Sequence, residues 1–162
     1  MDGRTGNVTN DKALVDTVIS TLAADNLAVW LFGGWAEELW ELIPPRSHND
    51  IDLLYPAANF DLLDTFLLRH GLEEVPAKRF SHKRAIEYEG VLVEFLLVNT
   101  TSAANVTSFF DGRLTFRWPA NTFSFRRRLL DTDVNVASVS ALAAYRQNRG
   151  AIHAARRAEG AG

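Results

Sequence analysis

The stretch Gly33-Gly34-Trp35-Ala36-Glu37-Glu38-Leu39-Trp40, followed closely by Arg46-Ser47-His48-Asn49-Asp50-Ile51-Asp52-Leu53-Leu54, decides how this chain is read. An apolar run from Leu27 to Phe32 leads into the glycine pair, a short helical pattern follows, and a second apolar run opens with two aspartates. The order this spells is strand, glycine turn, helix, strand. Asp50 and Asp52 are two residues apart, so in an extended strand their side chains leave the same face and can converge on one cation. Carboxylate oxygens suit Mg²⁺, which takes one or two protein carboxylates and leaves its other positions to water and phosphate oxygens. The glycines let a backbone approach closely, and a helix that starts near Trp35 points its free N–H groups and positive dipole end at the same place. An anion such as a triphosphate fits that corner.

Each half of this pattern also has a plain reading. A Gly-Gly between strand and helix is commonly a tight turn, and an Asp-x-Asp commonly a solvated strand end or a helix cap. In this order and at this spacing the two are more specific. The stretch resembles the signature of the DNA polymerase β-type nucleotidyltransferase superfamily, in particular its small aminoglycoside and lincosamide nucleotidyltransferase branch. Members of that branch carry Gly-Gly-Trp-Ala, an acid on the following helix turn, and Arg-x-His-x-Asp-x-Asp. Here these are Gly33-Gly34-Trp35-Ala36, Glu38, and Arg46, His48, Asp50 and Asp52, with no gap needed between them. The similarity is tight from Gly33 to Asp52 and continues as a pattern to about residue 150.

The resemblance implies an α+β (α/β) nucleotidyltransferase fold, a mixed, mostly antiparallel sheet with helices packed chiefly on one face. It implies Mg²⁺-dependent transfer of a nucleoside monophosphate, AMP from ATP or the equivalent from another triphosphate, to a hydroxyl of a small molecule of aminoglycoside or lincosamide type. Asp50 and Asp52 are then the metal-holding acids, and Gly33, Gly34, Arg46 and His48 the nucleotide-binding residues, Arg46 as a forked donor to a phosphate oxygen. Glu94 matches the third carboxylate of the superfamily by strand position, as a metal ligand or as the base that takes the hydroxyl proton. The small antibiotic-modifying enzymes commonly carry aspartate there; this chain carries glutamate, one methylene longer, and Glu87 and Glu89 compete for the role. Two rival readings keep the fold: transfer to a protein side chain or RNA end, as in toxin-like relatives, and a catalytically inactive nucleotide-binding module.

Composition sets the frame around this. A chain of 162 residues, 47% hydrophobic and 23% charged, is ordinary for one globular domain with a sizeable core. We expect that domain over residues 10–150, with flexible tails at 1–9 and 151–162. A net charge of −3 gives no basic field for gripping duplex nucleic acid. With no cysteine there are no disulfides, thiolate metal sites or cysteine nucleophiles. No apolar run reaches membrane-spanning length, and the polar N-terminus is unlike a signal, so the expectation is a cytoplasmic protein without a membrane partner. The lack of a separate acceptor domain makes a homodimer one way to complete a cleft.

Taken in order, Asn10 or Asp11 caps a helix with Ala13, Leu14, Val18, Leu22 and Ala23 on one face, ending near Asn26. Leu27–Phe32 is a strand, Trp35–Leu42 a helix stopped by Pro44-Pro45, and Asp50–Tyr55 a strand. Asn59 or Asp61 caps a helix ended by Gly71. A strand at Glu73–Val75 precedes a hairpin, Lys83–Tyr88 and Val91–Val98, turning at Glu89-Gly90. Glu94 shares a face with Leu92 and Leu96, a costly place for a carboxylate unless something pairs with it. Thr100–Ser108 reads as a loop or poor helix, Leu114–Trp118 and Thr122–Leu130 as short strands, and Ser138 as the cap of a helix through Arg149.

Two basic runs, Lys78 to Arg84 and Arg126-Arg127-Arg128, read as solvated faces or as a rim for phosphates or an anionic acceptor; an aminoglycoside, a polycation, prefers an acidic cleft. Several sites are excluded. There is no Gly-x-x-x-x-Gly-Lys-Ser/Thr, no Gly-x-Gly-x-x-Gly and no Gly-x-Ser-x-Gly, and His48, His70, His82 and His153 lack zinc-ligand spacing.

Overall fold

Asp11 caps the first helix, its carboxylate accepting from the Leu14 amide at 2.9 Å, in a computed structural model that describes residues 9–100 and 103–161. Residues 1–8, most of the expected N-terminal tail, lie outside that range. Helices α1 (Lys12–Ala24), α2 (Gly33–Leu39) and α3 (Asp61–Arg69) all end alike. A residue just past each end takes a left-handed conformation, Asn26 at φ 63°, Glu41 at φ 61° and Gly71 at φ 62°. Crossing amide bonds then close the turn; in α2 the Leu42 N–H donates to Glu37 and the Glu41 N–H to Glu38, both at 2.9 Å. This corrects the expectation that Pro44-Pro45 stops α2 at Leu42: the chain has already turned at Glu41.

Seven strands form the main sheet. In chain order they are β1 (Trp30–Phe32), β2 (Asp50–Pro56), β3 (Glu73–Glu74), β4 (Lys83–Tyr88), β5 (Val91–Val98), β8 (Phe125–Leu129) and β9 (Thr132–Val136). Their spatial order is β3-β4-β5-β2-β1-β9-β8, and a separate hairpin joins β6 (Val106–Phe109) to β7 (Leu114–Arg117). Among the described residues β2 with β5 and β1 with β9 run parallel and the other pairings are antiparallel, as expected for this fold class. The β4–β5 turn is at Glu89-Gly90, both at positive φ as a tight hairpin requires. Part of the Thr100–Ser108 stretch, expected to be loop or helix, is the strand β6; residues 101–102 lie outside the described range. The expected strand Leu27–Phe32 pairs only from Trp30.

Tyr55 and Phe95 face α3: Tyr55 stacks on Phe60 at 5.8 Å, and Arg84, paired across from Phe95, reaches Asp64 of α3 at 2.8 Å. The other face carries α4 (Val139–Ala161), whose Tyr145 meets Phe32 edge-on at 4.9 Å. The expectation of a fraying tail after residue 150 is corrected here. The stripe Leu142, Tyr145, Ile152, Ala155 keeps helical spacing, Ile152 is only 6% exposed, and alanine and arginine favour helix between these anchors. Among the described residues no helix is long and apolar enough to cross a membrane.

Candidate active site

Register brings the acids together. Parallel pairing of β2 with β5 sets Asp52 directly beside Glu94, and Asp50 lies two residues earlier on the same face. A ligand oxygen from each of the three carboxylates lies within 4.8 Å of the others. Neither Glu87 nor Glu89 belongs to this trio; both are exposed toward the hairpin end. The glycine pair has a steric reason as well as the one read from sequence. A Cβ on Gly33, which has φ +64°, would stand 2.3 Å from Asp52 Oδ2, and one on Gly34 would stand 2.8 Å from His48 Nδ1 and 3.1 Å from the Arg46 guanidinium. The missing side chains are the space in which Asp52, His48 and Arg46 sit.

Buried Glu38 holds the loop before the acids. Its Oε1 accepts from the Arg46 backbone N–H at 3.2 Å and lies 2.8 Å from His48 Nε2, while the His48 ring packs against Trp35 at 4.2 Å. Trp35 Nε1 donates to Asn10 Oδ1 at 3.1 Å, and the Asn10 amide donates to the carbonyls of His48 at 2.9 Å and Asp50 at 3.1 Å. Asn10, which in sequence offers itself only as a helix cap, therefore ties the start of α1 to the loop that leads into the acids. Gly33, Gly34 and Arg46 border a cleft of about 550 Å³ with the acids; His48 is turned beneath it, toward Glu38.

The two facing acids are in opposite electrostatic states. Burial, then the charges of Asp50 and Glu94, pushes the Asp52 carboxyl up to about 8, and burial with Glu94 also raises Asp50. Burial would raise Glu94 too, but Lys83 and Lys78 outweigh it and hold that carboxyl below its ordinary value. Their ammonium groups sit 3.2 and 3.1 Å from its two oxygens. Crowded hard oxygens, two from one strand and one from its neighbour, are a donor set a divalent cation such as Mg²⁺ fits, because it offsets the burial and then the repulsion that raise Asp50 and Asp52.

The opposite wall is α4, which sequence reading ended too early. Leu142, Tyr145, Arg146, Arg149, Ile152 and Arg156 border the cleft, and Arg146 pairs with Glu37 of α2. Burial, then Asp52, pushes the Tyr145 phenol up to about 12. The signal that could have found this wall is the apolar stripe continuing through Ile152 with arginines beside it.

Residues 14–158 match the sequence profile of the aminoglycoside-2''-adenylyltransferase family. The chain belongs to that family. It is a nucleotidyltransferase, and solved structures agree in fold. ANT(2'')-Ia, in complex with adenylyl-2''-tobramycin, superposes with a TM-score of 0.63 at 17% identity, over 86% of this chain and 76% of that one. The lincosamide adenylyltransferase LnuA, bound to lincomycin, gives 0.66 at 15% identity over 93% and 98%. No curated protein matches the chain. In this chain Glu94, beside Asp52, is clamped by Lys78 and Lys83.

Proposed function

We propose that the chain moves a nucleoside monophosphate, AMP from ATP, to a hydroxyl of a small molecule of the size its antibiotic-modifying relatives take, with Mg²⁺ at Asp50, Asp52 and Glu94, in the cytoplasm. The observation that carries this is the acidic trio within 4.8 Å beside the Gly33 corner. Bound Mg²⁺ supplies charge neutralisation at the transferring phosphoryl group. The protein's own residues do the rest. Gly33 and Gly34 leave room for phosphate oxygens beside their backbone, and Arg46, braced through its backbone by Glu38, offers a forked donor there. In the transfer, the acceptor oxygen bonds to the α-phosphorus as the bond from that phosphorus to pyrophosphate breaks. Pyrophosphate leaves with the electron pair, and the hydroxyl proton passes to Glu94. The lysine clamp keeps Glu94 ionised but lowers its basicity, so it takes the proton only as the hydroxyl is acidified by its forming bond to phosphorus. Positioning and charge stabilisation are most of what such chemistry requires.

Thermal melts with ATP, with and without Mg²⁺, test this on wild type and on the double variant Asp50→Asn with Asp52→Asn. The expected result is stabilisation that needs Mg²⁺ and disappears in the variant. Stabilisation by ATP that survives in the variant overturns the enzyme reading and leaves a nucleotide-binding module.

A further inference from the structure

The sheet order lays the cleft out from end to end. Gly33 and Arg46 sit at the β1 end, Asp50 and Asp52 on β2, Glu94 on β5, and Phe80 and Lys83 at the β4 end, with α4 forming the opposite wall. Of the carboxylates that border this cleft, Asp50, Asp52 and Glu94 meet at the metal position, and Glu37 stands apart from them on α2. It lies at the β1 end, the corner assigned above to phosphate. A fixed anion there repels the group the corner is shaped to hold unless its charge is matched. The match is Arg146 of α4, which pairs with Glu37 from the opposite wall.

The two halves of that pair differ in freedom. The Glu37 side chain is 14% exposed and the Arg146 side chain 57%. The carboxylate is therefore held in the wall, whereas the guanidinium ends a long chain that turns without moving its helix. One turn further, about 4.5 Å along the axis at 1.5 Å per residue, Arg149 borders the same cleft and makes no ion pair among the described residues. The Tyr145 phenol feels Asp52 and Arg149 in opposite senses, so the Arg149 field already reaches the metal side. Across the cleft, the bond that the Arg46 guanidinium makes among the described residues is a long one, 3.5 Å to the Ser47 carbonyl. Two guanidiniums are thus open to phosphate oxygens, and a third is withheld by Glu37.

We infer that Glu37 is an internal competitor of the nucleotide: it holds Arg146 while the corner is empty, yields it to the outer phosphates of a bound triphosphate, and takes it back as pyrophosphate leaves. Arg146 and Arg149 then grip those phosphates from α4 while Arg46 reaches them from the loop before β2. A guanidinium forks onto phosphate as it does onto carboxylate, and the more highly charged group wins it. The exchange also loosens the hold on pyrophosphate, which matters because a grip equal on substrate and product does not raise turnover. This rests on the nucleotidyl-transfer reading for where the phosphates lie, and adds positioning residues to it.

The test is a calorimetric titration of the full chain, in Mg²⁺, with α,β-methylene-ATP, AMP and tripolyphosphate. Glu37→Gln keeps the shape and removes the charge. It is expected to bind α,β-methylene-ATP and tripolyphosphate about tenfold tighter, the scale of a charge-assisted hydrogen bond, with AMP within about twofold of wild type. In an Arg146→Gln background the same substitution is expected to change nothing, because the group it frees is gone. Arg149→Gln is expected to weaken both polyphosphates about tenfold, and Arg149→Lys to restore part of the loss. Polyphosphate binding that is unchanged or weaker in Glu37→Gln makes the pair a brace between α2 and α4 and overturns the inference. So does a tightening that persists in the Arg146→Gln background, or one that AMP shares in full. Two outcomes separate this from the reaction itself. If tripolyphosphate binds and tightens in Glu37→Gln while α,β-methylene-ATP binds to neither chain, the proposed reaction falls and the competition stands. If α,β-methylene-ATP binds with Mg²⁺ and Glu37→Gln leaves it unchanged, the competition falls and the reaction stands.

Discussion

The two ends of the cleft are built in different ways. At the β1 end, Gly33, Gly34, Trp35, Glu38, Arg46 and His48 come from one short stretch and fix one another: Glu38 holds the Arg46 backbone and the His48 ring, Trp35 packs on that ring, and the glycines leave space for it. At the β4 end, Phe80, Lys83, Phe110, Ile152 and Arg156 come from three separated segments brought together only by the finished sheet and helix α4. A locally braced site tolerates little change and is written in contiguous sequence. An assembled one can vary residue by residue.

The sharpest way to break this contrast is Gly33→Ala. Gly33 and Gly71 have nearly the same backbone, φ +64° and +62°, but a Cβ at Gly33 meets Asp52 Oδ2 at 2.3 Å, whereas at Gly71 nothing lies within 4 Å. Both substitutions carry a strain of about 1 kcal/mol. Only Gly33→Ala also displaces an acid of the trio, so turnover is expected to fall by about a hundredfold or more, as for a misplacement near 1 Å, while Gly71→Ala keeps wild-type turnover and loses only stability. Pyrophosphate release and melting temperature read the two effects separately. Matching losses of turnover in both variants would show that the glycine corner does no more than turn the chain.

A chain ending at Arg149 tests whether the ends are separable. Ile152, 6% exposed, and Ala155 leave the core with the last turns of α4, a loss of about 2–4 kcal/mol, or roughly 5–10 °C in melting temperature for a chain of this size. The Mg²⁺-dependent shift with ATP is expected to remain, since the β1 end is intact. If it disappears at a temperature where the shortened chain is folded, the ends are one unit and the contrast fails.

The same division decides what the sequence could show. The β1 corner was legible because its residues are neighbours in the chain. Glu94 was legible through the cost of a carboxylate between Leu92 and Leu96, yet its choice over Glu87 and Glu89 waited for the parallel register with Asp52. The basic run Lys78 to Arg84 reads as one rim but divides by face: Arg79 and Arg84 reach Asp64 and Glu74 on the α3 side, while Lys78 and Lys83 reach Glu94. Arg126-Arg127-Arg128 lies on outer strand β8, beside Pro44-Pro45 and away from the acids; Arg127 sits 4.6 Å from the Trp40 ring. No local pattern encodes these destinations. Composition misled at α4, where an alanine- and arginine-rich end looks like a fraying tail until the sheet beneath it gives Ile152 somewhere to pack.

The smallest expected effect lies where the two ends meet, at the facing pair Asp52 and Glu94. In metal-free protein Asp52 is raised from 3.8 to about 8, so the folded state holds that proton more tightly than the unfolded chain. Its stabilising contribution is complete below about pH 4 and is lost as pH rises toward 8. Asp50 is shifted in the same direction, whereas Glu94, shifted down, loses its contribution only below its ordinary value of 4.5. Between pH 5 and 8.5, with EDTA present, the wild-type melting temperature therefore falls through the aspartates while Glu94 stays silent. Asp52→Asn removes the larger part of that slope and is expected to melt a few degrees above wild type at pH 8.5. Mg²⁺ is expected to flatten the wild-type slope by giving the ionised aspartates a partner, and to leave the variant nearly unchanged. A wild-type melting temperature that stays level or rises with pH in EDTA would mean that the lysines on Glu94 already neutralise all three acids, and that the β1 and β4 ends share one charge balance.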